Sequence, residues 1–110
     1  MEINYSQFEG VDIRVGTIIH VDEFKKAIKP AYKITLDFGE LGIKKSSAQI
    51  TQYYKPSELI GKQIIAVVNF PSKQIADFKS ECLILGVIEG DSGVVLLTTD
   101  KPVQNGLKIA

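Results

Sequence analysis

Between Asp12 and Phe38 the chain twice alternates apolar and polar residues with a period of two, a pattern that a helix cannot bury on one face and an antiparallel sheet can. In the first run Ile13, Val15, Ile19 and Val21 share one face, while Asp12, Arg14, His20 and Asp22 share the other. In the second run Tyr32, Ile34, Leu36 and Phe38 alternate with Lys33, Thr35 and Asp37. Glycines at 39 and 42 supply turn chemistry before a third strand over residues 43–50, which predicts a hairpin. Pro56 near a first helical turn and Gly61 at its stop predict a short helix between them. Residues 62–69 and 82–89 are rich in β-branched residues and apolar on both faces, as in strands covered on both sides. A turn over residues 89–93 leads into a last strand at 94–98. Three strands, a short helix and then further strands is the order of an all-β, five-stranded OB barrel; periodicity alone leaves an open sandwich as the alternative.

A small barrel fills its interior from one face of each strand, so the second apolar face at Ile64–Val68 and Leu83–Ile88 needs a cover. Ile3, Tyr5 and Phe8 before the barrel, and Val103, Leu107 and Ile109 after it, are suited to provide one, either within the chain or through a second subunit. The 110 residues suffice for one domain spanning 1–110, with no repeat or linker to divide it.

No segment approaches the ~20 apolar residues of a membrane-spanning helix. The start of the chain lacks the basic and apolar regions of a signal peptide, and one cysteine permits no internal disulfide; both predict a cytoplasmic protein without membrane insertion. Net charge is zero, yet its distribution is uneven. Residues 1–24 carry one Arg against five acids, residues 25–79 ten Lys against four acids, and residues 80–110 two Lys against four acids. A basic middle can hold a phosphate backbone where the total charge gives no sign of it, and a solvated lysine-rich surface explains the same pattern.

Catalytic chemistry has little to stand on. His20 lies on an alternating strand beside Asp22 without a nucleophile or metal-ligand spacing nearby, and Cys82 opens an apolar strand as a small core residue would. Glycines 86, 90 and 93 lead into another strand rather than a phosphate-binding helix, so neither a metal nor a nucleotide cofactor is implied. The segment from Asn69 to Ser80 differs in kind. It sets Asn69, Ser72, Lys73, Gln74, Lys79 and Ser80 beside Phe70, Pro71 and Phe78, mixing cations, polar donors and aromatic faces as single-stranded RNA binders do. A compact surface loop is the structural alternative.

Taken in order, Val11-Asp12-Ile13-Arg14-Val15-Gly16, then Asn69-Phe70-Pro71-Ser72-Lys73, then Lys79-Ser80-Glu81, the chain resembles the stand-alone tRNA-binding domain also appended to methionyl-tRNA synthetases. Lys44-Lys45-Ser46-Ser47-Ala48-Gln49-Ile50-Thr51 resembles the CsaA-type secretion chaperones within that family. The resemblance implies an OB fold and a homodimer joined through terminal extensions. It also implies a tRNA surface carried here by Asn69, Lys73, Ser80 and Glu81, to which the basic residues Lys44, Lys45 and Lys79 are added. Leu83 stands where tRNA-binding members usually have Met, and Cys82 where they have a smaller residue. Strand alternation allows only one of Lys44 and Lys45 to face a groove. CsaA resemblance further implies an ATP-independent chaperone for unfolded or pre-secretory polypeptides, working with the export machinery. Phe70, Ile75, Phe78 and Leu83 are its candidate peptide contacts; Phe78, between Asp77 and Lys79, is expected to be exposed, and a ring that plugs one end of the barrel is the structural alternative. A tRNA-binding module without chaperone activity is the alternative. Asp12 and Arg14 read as structural, and Gly16 as a bend or close approach.

Overall fold

The structure, a computed structural model, describes residues 1–91 and 93–110. It opens with a single-turn helix α1 (Tyr5–Glu9), whose N-cap Asn4 accepts from Gln7 N while the Gln7 side chain accepts from Asn4 N. Strand β1 (Ile13–Glu23) follows, then β2 (Tyr32–Asp37), a 3-10 turn at Gly39–Leu41, β3 (Ile43–Ala48) and helix α2 (Pro56–Leu59). The remaining strands are β4 (Gln63–Val67), β5 (Lys73–Ile75), β6 (Phe78–Ser80), β7 (Leu83–Ile84), β8 (Gly86–Glu89) and β9 (Gly93–Leu96).

Five strands form the main sheet in the order β3-β2-β1-β4-β7. It curls until its edges meet: Glu81 N donates to Lys45 O at 2.7 Å and Ser46 Oγ to Cys82 O at 2.9 Å. The result is a nearly closed OB-type barrel. Ile18, Ile34, Leu36, Phe38, Leu59 and Ile64 fill it with no measurable exposure. Gly16 is where the Phe38 ring approaches, because a Cβ there would lie 2.7 Å from the ring.

Two readings of the strands change. Ile19 is not an inward residue: β1 bulges between Ile18 and His20, so Ile18 is buried and Ile19 is 45% exposed. The extra residue of a bulge reverses the alternation that follows it. The expected strand over residues 82–89 is broken at Leu85, with β7 in the barrel and β8 paired instead with β9. The turn read at residues 89–93 includes Ser92, which lies outside the described residues.

Strand β4 is covered on both faces as its composition indicates: Ile64 and Ala66 join the barrel core, and Ile65 and Val67 are buried on the other side. Since β1 pairs with β4 from Ile13 to Thr17 and with β2 only from Thr17 onward, its first residues have a free edge. The C-terminal segment occupies that edge. Val15 N donates to Leu107 O, Gly106 N to Val15 O and Ile109 N to Ile13 O. Leu83 on the outer side of β7, and Val87 and Ile88 on β8, remain exposed.

Candidate nucleic-acid and peptide interface

The outer face of the β2–β3 pair is built by register. Lys33 lies opposite Ser47 and Thr35 opposite Lys45, and these side chains alternate with the inward Ile34, Ser46 and Ala48. Alternation therefore turns Lys45 outward and leaves Lys44 on the inward-facing set, half-buried. Two loops rise beside this face, residues 24–31 between β1 and β2 and residues 68–82 between β4 and β7. In OB folds, the face of the second and third strands between these loops is where oligonucleotides and oligosaccharides lie.

The second loop is not irregular, because β5 and β6 form a hairpin within it that pairs Lys73 with Ser80, Gln74 with Lys79 and Ile75 with Phe78. Phe78 is the main correction to the sequence reading: it is 8% exposed and packs with Phe24 and Ala31 in a second small core. The ring that was expected to wait for a peptide fastens the hairpin to the first loop. Lys33 Nζ sits 4.9 Å from the Phe24 centroid and 5.6 Å from that of Phe78, a cation held against two ring faces. Lys26 Nζ meets Asp77 Oδ2 at 2.9 Å across the same gap. The hydrogen bond and charge of Lys26 hold the Asp77 carboxyl below the usual aspartate value.

Between the loops lies an open groove of about 400 Å³, lined by Ala27, Ile28, Lys29, Ser47, Gln49, Lys73, Gln74 and Ile75. Beside it is a smaller hollow of about 200 Å³, lined by Phe70, Pro71, Cys82 and Leu83, with Lys73, Ser80 and Glu81 also on its wall. Lys73 borders both. Phe70 and Leu83 are each about half exposed, leaving apolar surface available to a ligand. Lys79, by contrast, shares the hairpin face with Gln74 and opposite Phe78, and lines neither depression.

Three polar residues of the candidate set already have internal partners. Asn69 Oδ1 accepts from Asp12 N at 2.9 Å while its Nδ2 donates to Gly10 O at 2.8 Å, tying the N-terminal segment to the end of β4. Glu81 Oε1 accepts from Lys45 N and Ser80 Oγ from Ser47 N, so both satisfy the edge of β3 where the barrel closes. Asp12 and Arg14 pair with each other, and Arg14 also donates to Gly106 O. Burial pushes the Cys82 thiol up to about 12, which keeps it protonated and unreactive. Among the described residues, no group of three or more His, Cys, Asp or Glu is placed to hold a metal. The contributions of Phe24, Lys26 and Lys33 had no linear signal, since they act through a loop more than forty residues away in sequence.

Residues 13–108 match the family model of the tRNA-binding domain. The chain belongs to that family. Two solved structures similar to it are the chaperone CsaA from Bacillus anthracis str. Ames and the CsaA chaperone protein from Picrophilus torridus. The first is 51% identical, covers the whole of both chains and has a TM-score of 0.96. The second is 59% identical over 99% of this chain and all of the other, with a TM-score of 0.93. Among curated proteins, the methionine–tRNA ligase of Methanosarcina mazei is 33% identical over 97% of this tRNA-binding domain. The domain spans only 15% of that ligase's length, so the likeness concerns one part of the enzyme.

Proposed function

We propose that this chain is a CsaA-like chaperone that binds unfolded or pre-secretory polypeptides without ATP and also binds tRNA, using adjoining parts of one face. The observation that carries this reading is the shared wall at Lys73, with a cation-bordered groove on one side and the apolar hollow of Phe70, Pro71 and Leu83 on the other. An extended peptide gains affinity by placing side chains in such hollows, and a phosphate backbone gains it from local cations. Whole-length likeness to the CsaA structures supports the chaperone reading, and the family match supports tRNA. The buried, protonated Cys82 and the exposed His20–Asp22 pair favour a binding protein over an enzyme.

The chaperone acts in the cytoplasm as a homodimer and passes clients to the export machinery. Exposed Ile3, Tyr5 and Leu107 supply apolar surface for a second copy, and full burial of one such aliphatic side chain stabilises by about 1.5–3 kcal/mol. A second reading, a tRNA-binding module alone, is favoured by the groove's position on the OB face. Competition between tRNA and an unfolded apolar peptide over a salt series decides between them. Under the proposed function both bind, tRNA with steep salt dependence and peptide with little. Peptide that fails to bind at any salt concentration eliminates the chaperone reading.

A further inference from the structure

Residues 24–31 and 68–80, the two loops that frame the groove, contain five lysines and a single acid, Asp77. That acid is spent on one of the lysines. Asp77 Oδ2 lies 2.9 Å from Lys26 Nζ, joining the tip of the β5–β6 hairpin to the opposite loop. The hairpin presents Asp77 by an unusual turn: Ala76 has φ 54°, in the left-handed region that a side chain disfavours and glycine normally supplies. Such a residue persists where its surroundings over-determine it. Here Gln74 Nε2 donates to Ala76 O at 3.0 Å, and Phe78, two residues on, is anchored against Phe24. The acid is thus held at a fixed place among cations, with Lys33 also close enough to favour its charged form.

The ion pair itself is open to solvent, its side chains being 68% and 55% exposed for Lys26 and Asp77. An exposed pair of this kind is weak and exchanges readily with other ions. We propose that Asp77 lowers the affinity of this face for RNA by masking Lys26, which precedes the groove residue Ala27 and stands outside the groove's own lining, the pair being a latch that a backbone phosphate entering the groove opens by taking the place of Asp77 on the lysine. This rests on the tRNA-binding reading. Asp77 is then an affinity-determining residue rather than a ligand contact, and it lowers polyanion binding without affecting the apolar hollow of Phe70 and Leu83.

The test measures tRNA binding by full-length wild type, Asp77→Asn, Lys26→Ala and the double variant across roughly 50–200 mM salt. Asp77→Asn should bind about two- to fivefold more tightly at the low-salt end, with a slope steeper by up to ~0.7–0.9, one further phosphate. Most of that gain should vanish in the Lys26→Ala background, and binding of an unfolded apolar peptide should stay the same. Unchanged or weaker binding by Asp77→Asn, alongside salt-dependent wild-type binding, overturns the latch alone. A gain of equal size with and without Lys26 also overturns it, since a diffuse charge effect then accounts for the result. Wild type and Asp77→Asn both failing to bind tRNA overturns the tRNA reading and the latch together. Thermal denaturation of each variant verifies that the barrel is intact.

Discussion

Phe78 meets Phe24 edge-on, with ring centroids 5.3 Å apart and planes at 61°, and this contact fixes the β5–β6 hairpin against the loop that follows β1. Aromatic pairs favour such an arrangement over a face-to-face stack. Replacing Phe78 by Ala should therefore cost stability, up to the roughly 3–5 kcal/mol seen when a buried Phe is truncated. Urea unfolding is the measurement. A Phe78→Ala protein as stable as wild type would mean that the ring is not buried in solution.

The two lysines of the hairpin should behave differently. Lys73 borders both depressions, whereas Lys79 projects from the opposite face of the β5–β6 pair. Lys73→Ala is expected to reduce the salt slope of tRNA binding by about 0.7–0.9, and Lys79→Ala by distinctly less. Neither exposed substitution should change the midpoint of thermal unfolding appreciably. Equal slopes for both variants would refute the assignment of the groove as the phosphate path.

Strand alternation made β2 fully legible: every second residue from Tyr32 to Leu36 is buried. It failed at Ile19, because a bulge is a backbone event that leaves no mark in an apolar-polar pattern. Double-sided hydrophobicity correctly marked β4 but not the split at Leu85, where the chain leaves one sheet for another just before Gly86; that glycine packs closely against Val94 and Val95, partners that the local pattern does not reveal. In the candidate site, the sequence brought Phe70, Lys73 and Leu83 into view, and the structure brings them together. It misjudged Phe78 because its neighbours Asp77 and Lys79 indicate exposure, while burial is imposed by Phe24, a residue 54 positions earlier. Asn69, Ser80 and Glu81 looked like free polar contacts for the same reason. Their partners are backbone amides of Asp12, Ser47 and Lys45, distant in sequence and brought near by closure of the barrel.

The Asp77 carboxyl should titrate below an ordinary aspartate, chiefly through its hydrogen bond to Lys26 and then the charge of that lysine. With the folded-state value lowered, the pairing contributes fully above the unfolded-state value and is lost as pH falls through the folded one. Carboxyl NMR titration should show Asp77 returning toward the normal range in Lys26→Ala. A titration that is identical in both proteins would indicate that the ion pair does not persist in solution.

The terminal segments allow the proposed dimer to be separated from the stability of the barrel. Light scattering of wild type should give twice the 12.1 kDa chain mass. Deleting residues 103–110 is a poor probe, since Gly106, Leu107 and Ile109 bond to β1 and their loss would damage the fold itself. Tyr5 is a better target. It is 63% exposed and stacks only loosely on Phe8, with centroids 6.5 Å apart, so Tyr5→Asp should leave the barrel intact while placing a charge in an apolar contact between copies. The expected product is a folded monomer, recognised by wild-type β-sheet circular dichroism at half the dimer mass. A Tyr5→Asp protein that remains dimeric would move the interface to the other exposed apolar surface, Val87 and Ile88 on β8.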